Sequence, residues 1–295
     1  MTCTKIDFSV RCPRDYEKEA DVIGPGDLDM IFKRIIDDAD YANFKPKVLS
    51  QSPWVVTLED FLSPEECSHF IEFGAIEGYV RSTDVGTRKF DGTYDGAMSN
   101  GRTSENSWCS HECLENPMTK QVTNRIANLT GVPEQNSEHL QLLKYQETQS
   151  YNVHHDFIPF HVERAHGVRI LTLFLYLNDV EAGGGTNFPH LNLTVMPKKG
   201  KALLWTNVLN KNPSARDSRT DHQALSVEQG TKYGANACEC IHNCYGFLLF
   251  DFLLLSDALH YSSVIRMSTS LPSSIFFFTG LHLRDFRGPF AARCT

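Results

Sequence analysis

The sequence predicts a mainly β fold with flanking helices, an all-β barrel or jelly roll with the helices packed outside it. Three observations predict it. From Glu138 onward, short runs of β-forming residues recur between Gly, Pro and Asn turns. One of them, Arg169-Ile-Leu-Thr-Leu-Phe-Leu-Tyr-Leu177, is almost continuously apolar, as a central strand is. Helical patterning precedes these strands and is confined to two segments, after Ser63 and from Pro117 to Leu129.

Along the chain, residues 1–48 are charged and irregular and read as a loosely packed N-terminal segment. Ordered structure is expected from Trp54-Val-Val-Thr57, a short β-branched strand. Asp60-Phe-Leu-Ser63-Pro64-Glu65-Glu66 then opens a helix, with Ser63 as N-cap, Pro64 in the first turn and Glu66 three residues after the cap. That helix is expected to run to about Gly74. Residues 81–108, rich in Gly, Ser, Thr, Asp and Asn, read as a loop with short extended pieces. The second helix places Val122, Ile126 and Leu129 on one stripe and ends at Gly131-Val-Pro133. Expected strands follow at His139–Tyr145, Tyr151–Phe157, Arg169–Leu177, Leu193–Met196, Lys201–Trp205 and Ala224–Val227.

With 295 residues, 41% of them apolar, the chain can fill the core of one large domain or two small ones. A formal charge of −8 argues against nucleic acid or an anionic membrane as the main partner, because both reward dense Lys and Arg. The first twenty residues contain no apolar run long enough for a signal peptide or membrane anchor, so the chain as written reads as cytosolic. The nine cysteines show no zinc-type pairing, and Cys109 and Cys113 can form a local disulfide in an oxidising compartment. Asn128-Leu-Thr130 and Asn192-Leu-Thr194 are glycosylation sequons. The compartment stays open on these signals.

The chemistry centres on Tyr151-Asn-Val-His154-His155-Asp156. On a strand, residues i and i+2 share a face, which sets His154 beside Asp156 and turns His155 away. Two histidines and one carboxylate form a facial triad that leaves three positions on Fe(II) open for a bidentate cosubstrate and O₂. The third ligand must come from a distant strand at the far end of the barrel, and Asp221-His222 supplies it. Ten residues on, a hairpin through Glu228-Gln-Gly230 would return Lys232 towards the metal. A buried ammonium facing a small pocket needs an anion, and the distal carboxylate of 2-oxoglutarate meets that need. Read singly, His222 and Lys232 are also explained as exposed residues beside a turn.

Taken together, these residues and their spacing resemble the prolyl 4-hydroxylase family of Fe(II)- and 2-oxoglutarate-dependent dioxygenases. The resemblance runs from Leu49 to Ala237. It includes Phe61-Leu-Ser-x-x-Glu-Cys67, Arg102-Thr-Ser104, Glu138-x-Leu-Gln-x-Leu-x-Tyr145, His154-His-Asp156, Gly183-Gly-Gly-Thr186-x-Phe-Pro189 and His222 through Lys232. It implies a double-stranded β-helix core, with His154, Asp156 and His222 on Fe(II). It also implies that Lys232, helped by Tyr145 and Thr186, holds 2-oxoglutarate, while Tyr151 and Arg169 lie towards a proline-containing peptide. Tyr145, Tyr151 and Thr186 are equally explained by strand packing. Arg169 is less easily so, since an unpaired buried guanidinium is costly. O₂ as second cosubstrate, ascorbate to rescue oxidised iron, and the endoplasmic reticulum, should the N-terminus be incomplete, come with the resemblance too. A related oxygenase with another substrate, or a degenerate barrel that only binds, are the competing readings.

The family pattern continues past the lysine with a Trp six residues on and a His two after that, whereas this chain has Cys238 and then Glu-Cys-Ile-His-Asn-Cys244. Alternating ligands do not match zinc spacing. Residues 238–280 read instead as an anomalous insertion, a translated intron. Cys238-Glu-Cys240 can be encoded with a splice donor, and Ser273-Ser-Ile-Phe-Phe-Phe-Thr-Gly280 with a pyrimidine tract and acceptor. Joining the two yields a tryptophan after Ala237, followed by Leu281 and His282. The expected layout is therefore an irregular segment (1–48), the dioxygenase domain (49–237), the insertion (238–280), packed poorly on the barrel, and the end of the domain (281–295).

Overall fold

The computed structural model describes residues 20–88, 94–164 and 166–243. Ordered structure begins earlier than the sequence pattern suggests. A helix, α1 (Asp27–Asp37), buries Leu28, Phe32 and Ile35 completely, and Phe32 stacks on Trp54 with ring centroids 5.3 Å apart. Trp54 Nε1 donates to Asp29 Oδ1 at 2.7 Å, which pins the helix to the sheet. The part of the irregular N-terminal segment before residue 20 lies outside the described residues.

The two expected helices form where local chemistry specifies them. In α2 (Pro64–Glu77), Ser63 accepts from the Glu66 amide at 3.2 Å and Glu66 accepts from the Ser63 amide at 2.9 Å, a reciprocal capping box. The Glu66 carboxylate also takes both Arg125 terminal nitrogens, at 2.6 and 2.9 Å, which ties α2 to α4 (Pro117–Thr130). Between them, a one-turn helix, α3 (His111–Glu115), carries Cys113, which is disulfide-bonded to Cys109. Helix α4 ends on Gly131 at φ 73°, a left-handed conformation that glycine adopts without strain. Arg34 of α1 donates to the Leu129 carbonyl at 2.7 Å, placing a cation at the negative end of α4.

Twelve strands build the β core. In chain order they are β1 (Pro46–Gln51), β2 (Trp54–Leu58), β3 (Val80–Arg81), β4 (Glu105–Trp108), β5 (Gln141–Tyr145) and β6 (Tyr151–His154). They continue with β7 (Arg169–Tyr176), β8 (Thr186–Phe188), β9 (Leu193–Val195), β10 (Ala202–Thr206), β11 (His222–Ala224) and β12 (Lys232–Cys240). The major sheet runs β1-β2-β10-β7-β12-β5-β4-β3, and the minor sheet β9-β8-β11-β6. Period-2 alternation divides their side chains between two cores. Leu171, Leu173, Leu175, Ala202 and Leu204 face the helices, while Phe174, Tyr176, Leu203 and Trp205 join Phe188 and Val195 of the minor sheet between the two sheets. Strand β7 is buried from Ile170 to Tyr176 because both of its faces are covered, which is why most of its residues are apolar.

The structure changes three local expectations. Strand β6 ends at His154, so Asp156 lies just beyond it. The turn at Gly230 (φ 90°) does not close a hairpin back on itself: Val227–Gln229 pairs with Ala182–Gly183, and the chain then enters the centre of the major sheet as β12. Finally, β12 does not stop where the family pattern breaks. It pairs with β7 through Cys240, and residues 238–242 are all buried, so the start of the anomalous segment packs tightly. The remainder of that segment and residues 281–295 lie outside the described residues.

Candidate active site

Three donors converge at one end of the minor sheet, where β6 finishes at His154 and β11 begins at His222. Strand pairing sets His222 directly opposite His154 in register, so the third ligand comes from the adjacent strand, remote in sequence yet adjoining in space. His154 Nε2 lies 3.9 Å from Asp156 Oδ1, and His222 Nε2 lies 3.7 Å from Asp156 Oδ2. One ligand atom from each residue falls within 4.8 Å of the others, and among the described residues no second such group of three occurs.

The backbone fixes which imidazole nitrogens face the centre. His154 Nδ1 meets the Asn152 carbonyl at 2.8 Å and His222 Nδ1 meets the Thr220 carbonyl at 3.0 Å. A carbonyl only accepts, so each Nδ1 carries a proton and each Nε2 is the nitrogen turned towards the centre. Burial holds the His154 imidazole neutral, its pKa pushed down to about 3, with the His222 ring adding to the effect. Burial alone would raise the Asp156 pKa; His222, His154, Arg169 and the Thr172 hydroxyl outweigh it, and the carboxyl is held well below the usual range. Two imidazole nitrogens turned inward and an ionised carboxylate form a donor set that suits a divalent cation, and the set leaves three positions free.

His155 points away, as the alternation predicts, and fastens the ligand loops together. Its Nδ1 accepts from the Phe157 amide at 2.8 Å, so its Nε2 carries hydrogen towards the Asp217 carbonyl (2.9 Å) and Thr220 Oγ1 (3.1 Å), just before His222.

Lys232 lies in the same apolar cluster between the sheets that contacts His222. Trp205 and Phe188 ring centroids are 4.8 and 5.6 Å from that of His222, and Tyr145, Phe174 and Tyr176 of this cluster surround the lysine. Lys232 is 1% exposed, and its Nζ has no hydrogen-bond partner among the described residues. It sits 5.0 Å from the Phe174 ring, 5.1 Å from Tyr145 and 5.6 Å from Tyr176. Burial lowers its pKa to about 7. A buried cation beside three rings and without a hydrogen-bond partner among the described residues is costly until an anion joins it, which makes Lys232 a candidate anchor for a carboxylate. Tyr145 is the register partner of Lys232, and Thr186 Oγ1 accepts from the Tyr176 hydroxyl at 2.8 Å.

The two residues expected to face substrate differ. Tyr151 stacks on His154 with centroids 3.6 Å apart and carries the Arg102 guanidinium 4.7 Å from its ring, which places it at the metal centre. The Arg169 guanidinium is not unpaired: Glu138 takes it in a bidentate bridge, Nε to Oε1 at 2.7 Å and Nη2 to Oε2 at 2.8 Å. Its partner comes from the loop before β5, a pairing that no local sequence pattern records. For Tyr176, Phe174 and Thr172 the available signal is their alternate spacing along the β7 run, which puts all three on one face. Asn207, buried beside them, carries no sequence signal.

Comparison with known proteins agrees with this construction. Residues 140–237 match the 2OG-Fe(II) oxygenase superfamily. Prolyl 4-hydroxylase 1 of Arabidopsis thaliana is 34% identical over 210 residues, covering 65% of this chain and 71% of that protein. Prolyl 4-hydroxylase subunit alpha-2 of Gallus gallus is 30% identical over 201 residues, covering 66% of this chain but 35% of the subunit, which is therefore much longer than the matched region. Among solved structures, the collagen prolyl hydroxylase of Paramecium bursaria Chlorella virus-1, in its 2OG complex, is 24% identical and covers 65% of this chain and 98% of its own, with a TM-score of 0.49. The chain belongs to the prolyl 4-hydroxylase family of Fe(II)- and 2-oxoglutarate-dependent dioxygenases.

Proposed function

We propose that this dioxygenase hydroxylates proline in an extended peptide, using 2-oxoglutarate and O₂ as cosubstrates and ascorbate to keep its iron reduced. The observation that carries the cosubstrate half is Lys232, buried without a partner in the chamber that contacts a preassembled triad. Fe(II), when bound, supplies the site where oxygen is activated as 2-oxoglutarate is decarboxylated to succinate and CO₂. The protein's own residues do the rest. His154, Asp156 and His222 hold the metal on one face, Lys232 anchors the far carboxylate with Tyr145, Tyr176 and Thr186 packed around it, and the ring chamber keeps water away from that charge pair.

The proline half rests on the relatives' substrate and on Tyr151, whose ring stacks on that of the metal-ligand candidate His154. Proline-rich peptides are already extended as polyproline II, so binding them orders little new backbone. Arg169 takes part through the Glu138 bridge beside Asp156. Oxoglutarate turnover, measured with and without a polyproline peptide and ascorbate, tests the reading. The peptide should stimulate succinate release and gain hydroxyproline, and His154→Ala should abolish both. Turnover indifferent to the peptide would show another substrate, and turnover surviving in His154→Ala would refute the ligand assignment.

A further inference from the structure

The two oxygens of Asp156 are almost equally close to the imidazoles, 3.9 Å for Oδ1 to His154 and 3.7 Å for Oδ2 to His222, so distance alone leaves the carboxylate able to bind a metal through either oxygen or both. The difference matters. A triad with three donors leaves three positions, and a bidentate cosubstrate together with oxygen needs all of them. A carboxylate closing through both oxygens would consume one.

A buried relay distinguishes the two oxygens. Thr172 Oγ1 donates to Asp156 Oδ2 at 2.7 Å. Asn207 Nδ2 donates in turn to Thr172 Oγ1 at 2.8 Å. Both residues are fully buried, and Asn207 is held by its own backbone, donating to the Ile170 carbonyl at 2.9 Å and accepting from the Asp217 amide at 3.0 Å. A hydroxyl has one hydrogen. With its acceptor side filled by the Asn207 amide, Thr172 directs that hydrogen at Oδ2. The Cys238 thiol, the other hydrogen-bond neighbour of the hydroxyl among the described residues, lies 4.0 Å away and is too weak a partner to redirect it.

We propose that Thr172 and Asn207 are positioning residues that reserve Asp156 Oδ2 for the protein, so that Asp156 binds the metal through Oδ1 alone and an oxygen-accessible position stays open. This rests on the oxygenase reading above. The relay predicts a defect confined to the oxygen-dependent step, with metal and cosubstrate binding intact.

The test uses the full chain under anaerobic conditions, loaded with Fe(II) and 2-oxoglutarate. The readouts are Fe(II) affinity, the metal-to-oxoglutarate charge-transfer band, and the decay of that band on mixing with oxygen. In Thr172→Val, which keeps the shape and loses the hydrogen, the band should form and Fe(II) affinity should not fall, while the decay slows at least tenfold. Thr172→Ser, which restores the hydroxyl, should decay within about twofold of wild type. Asn207→Asp turns the donor into a competing acceptor without opening a cavity and should decay as slowly as Thr172→Val, which keeps the test available if the valine variant fails to fold. Wild-type decay in Thr172→Val or Asn207→Asp, or a Thr172→Ser variant as slow as the valine one, overturns the proposal. Absence of the band from the wild-type protein would instead overturn the oxygenase reading beneath it.

Discussion

Raising the pH above 7 should weaken 2-oxoglutarate binding, and Lys232→Arg should remove that dependence. Among the described residues the lysine has three aromatic rings beside it and no hydrogen-bonded carboxylate, and burial brings its pKa down to about 7. A bound dicarboxylate favours the charged amine and raises the pKa again. Below pH 7 the ammonium is already in place, so affinity is flat. Above pH 7 each binding event must take up a proton, which costs about 1.4 kcal/mol, or about tenfold in affinity, per pH unit. From pH 6 to pH 9 the loss should be on the order of a hundredfold. Calorimetric titration of the anaerobic, Fe(II)-saturated protein, repeated in buffers of different ionisation enthalpy, measures both the affinity and the proton taken up. Arginine stays charged throughout this range, so Lys232→Arg should bind with pH-independent affinity, even if weaker overall. A wild-type affinity flat from pH 6 to 9 with no proton uptake, or the same slope in Lys232→Arg, would refute the argument.

Other consequences follow from burial. Glu239 occupies a strand row with Ala235, Ala237 and Ile241 that faces the helix-covered core; it is 0% exposed, accepts one hydrogen bond from Ser137, and burial raises its pKa to about 7. Its folded pKa lies above its unfolded value of 4.5, so the protein should lose stability as pH rises from about 4.5 to 7, by about 3 kcal/mol in total. Glu239→Leu should recover that loss at pH 8 in urea melts; an unchanged midpoint would show that the carboxylate is solvated. The same row bears on the interrupted pattern at Cys238. We propose that splicing joins Ala237 to Leu281 through a tryptophan, which would place a leucine in the position Glu239 now occupies, and transcripts across this region should show the junction; finding unbroken reading frames alone would rule it out. Arg125→Met strips the bidentate partner from Glu66, whose side chain is 7% exposed, and should destabilise the fold by about 3 kcal/mol, with Glu66→Gln in the same background restoring part of it.

The parts of this protein that its sequence determined are those specified by neighbours in the chain. Ser63, Pro64 and Glu66 announce α2 because a capping box is closed within four residues. The apolar run of β7 announces a strand covered on both faces, and His154 and Asp156 are two residues apart, so their proximity needs only an extended backbone. Helix α1 escaped because its apolar stripe of Leu28, Phe32 and Ile35 is interleaved with charges and its N-cap is Gly26, which makes no side-chain cap bond. Sheet order left still less trace. That His222 lies in register with His154, that Glu138 neutralises Arg169, that β12 enters beside β7 with Lys232 under three rings, and that Asn207 stands behind Thr172 are decided by pairings between segments tens of residues apart. Ligand identity is a matter of residue type and short spacing, which sequence records directly. The partner that orients each ligand depends on which strands hydrogen-bond to which, and only the folded sheets fix that choice.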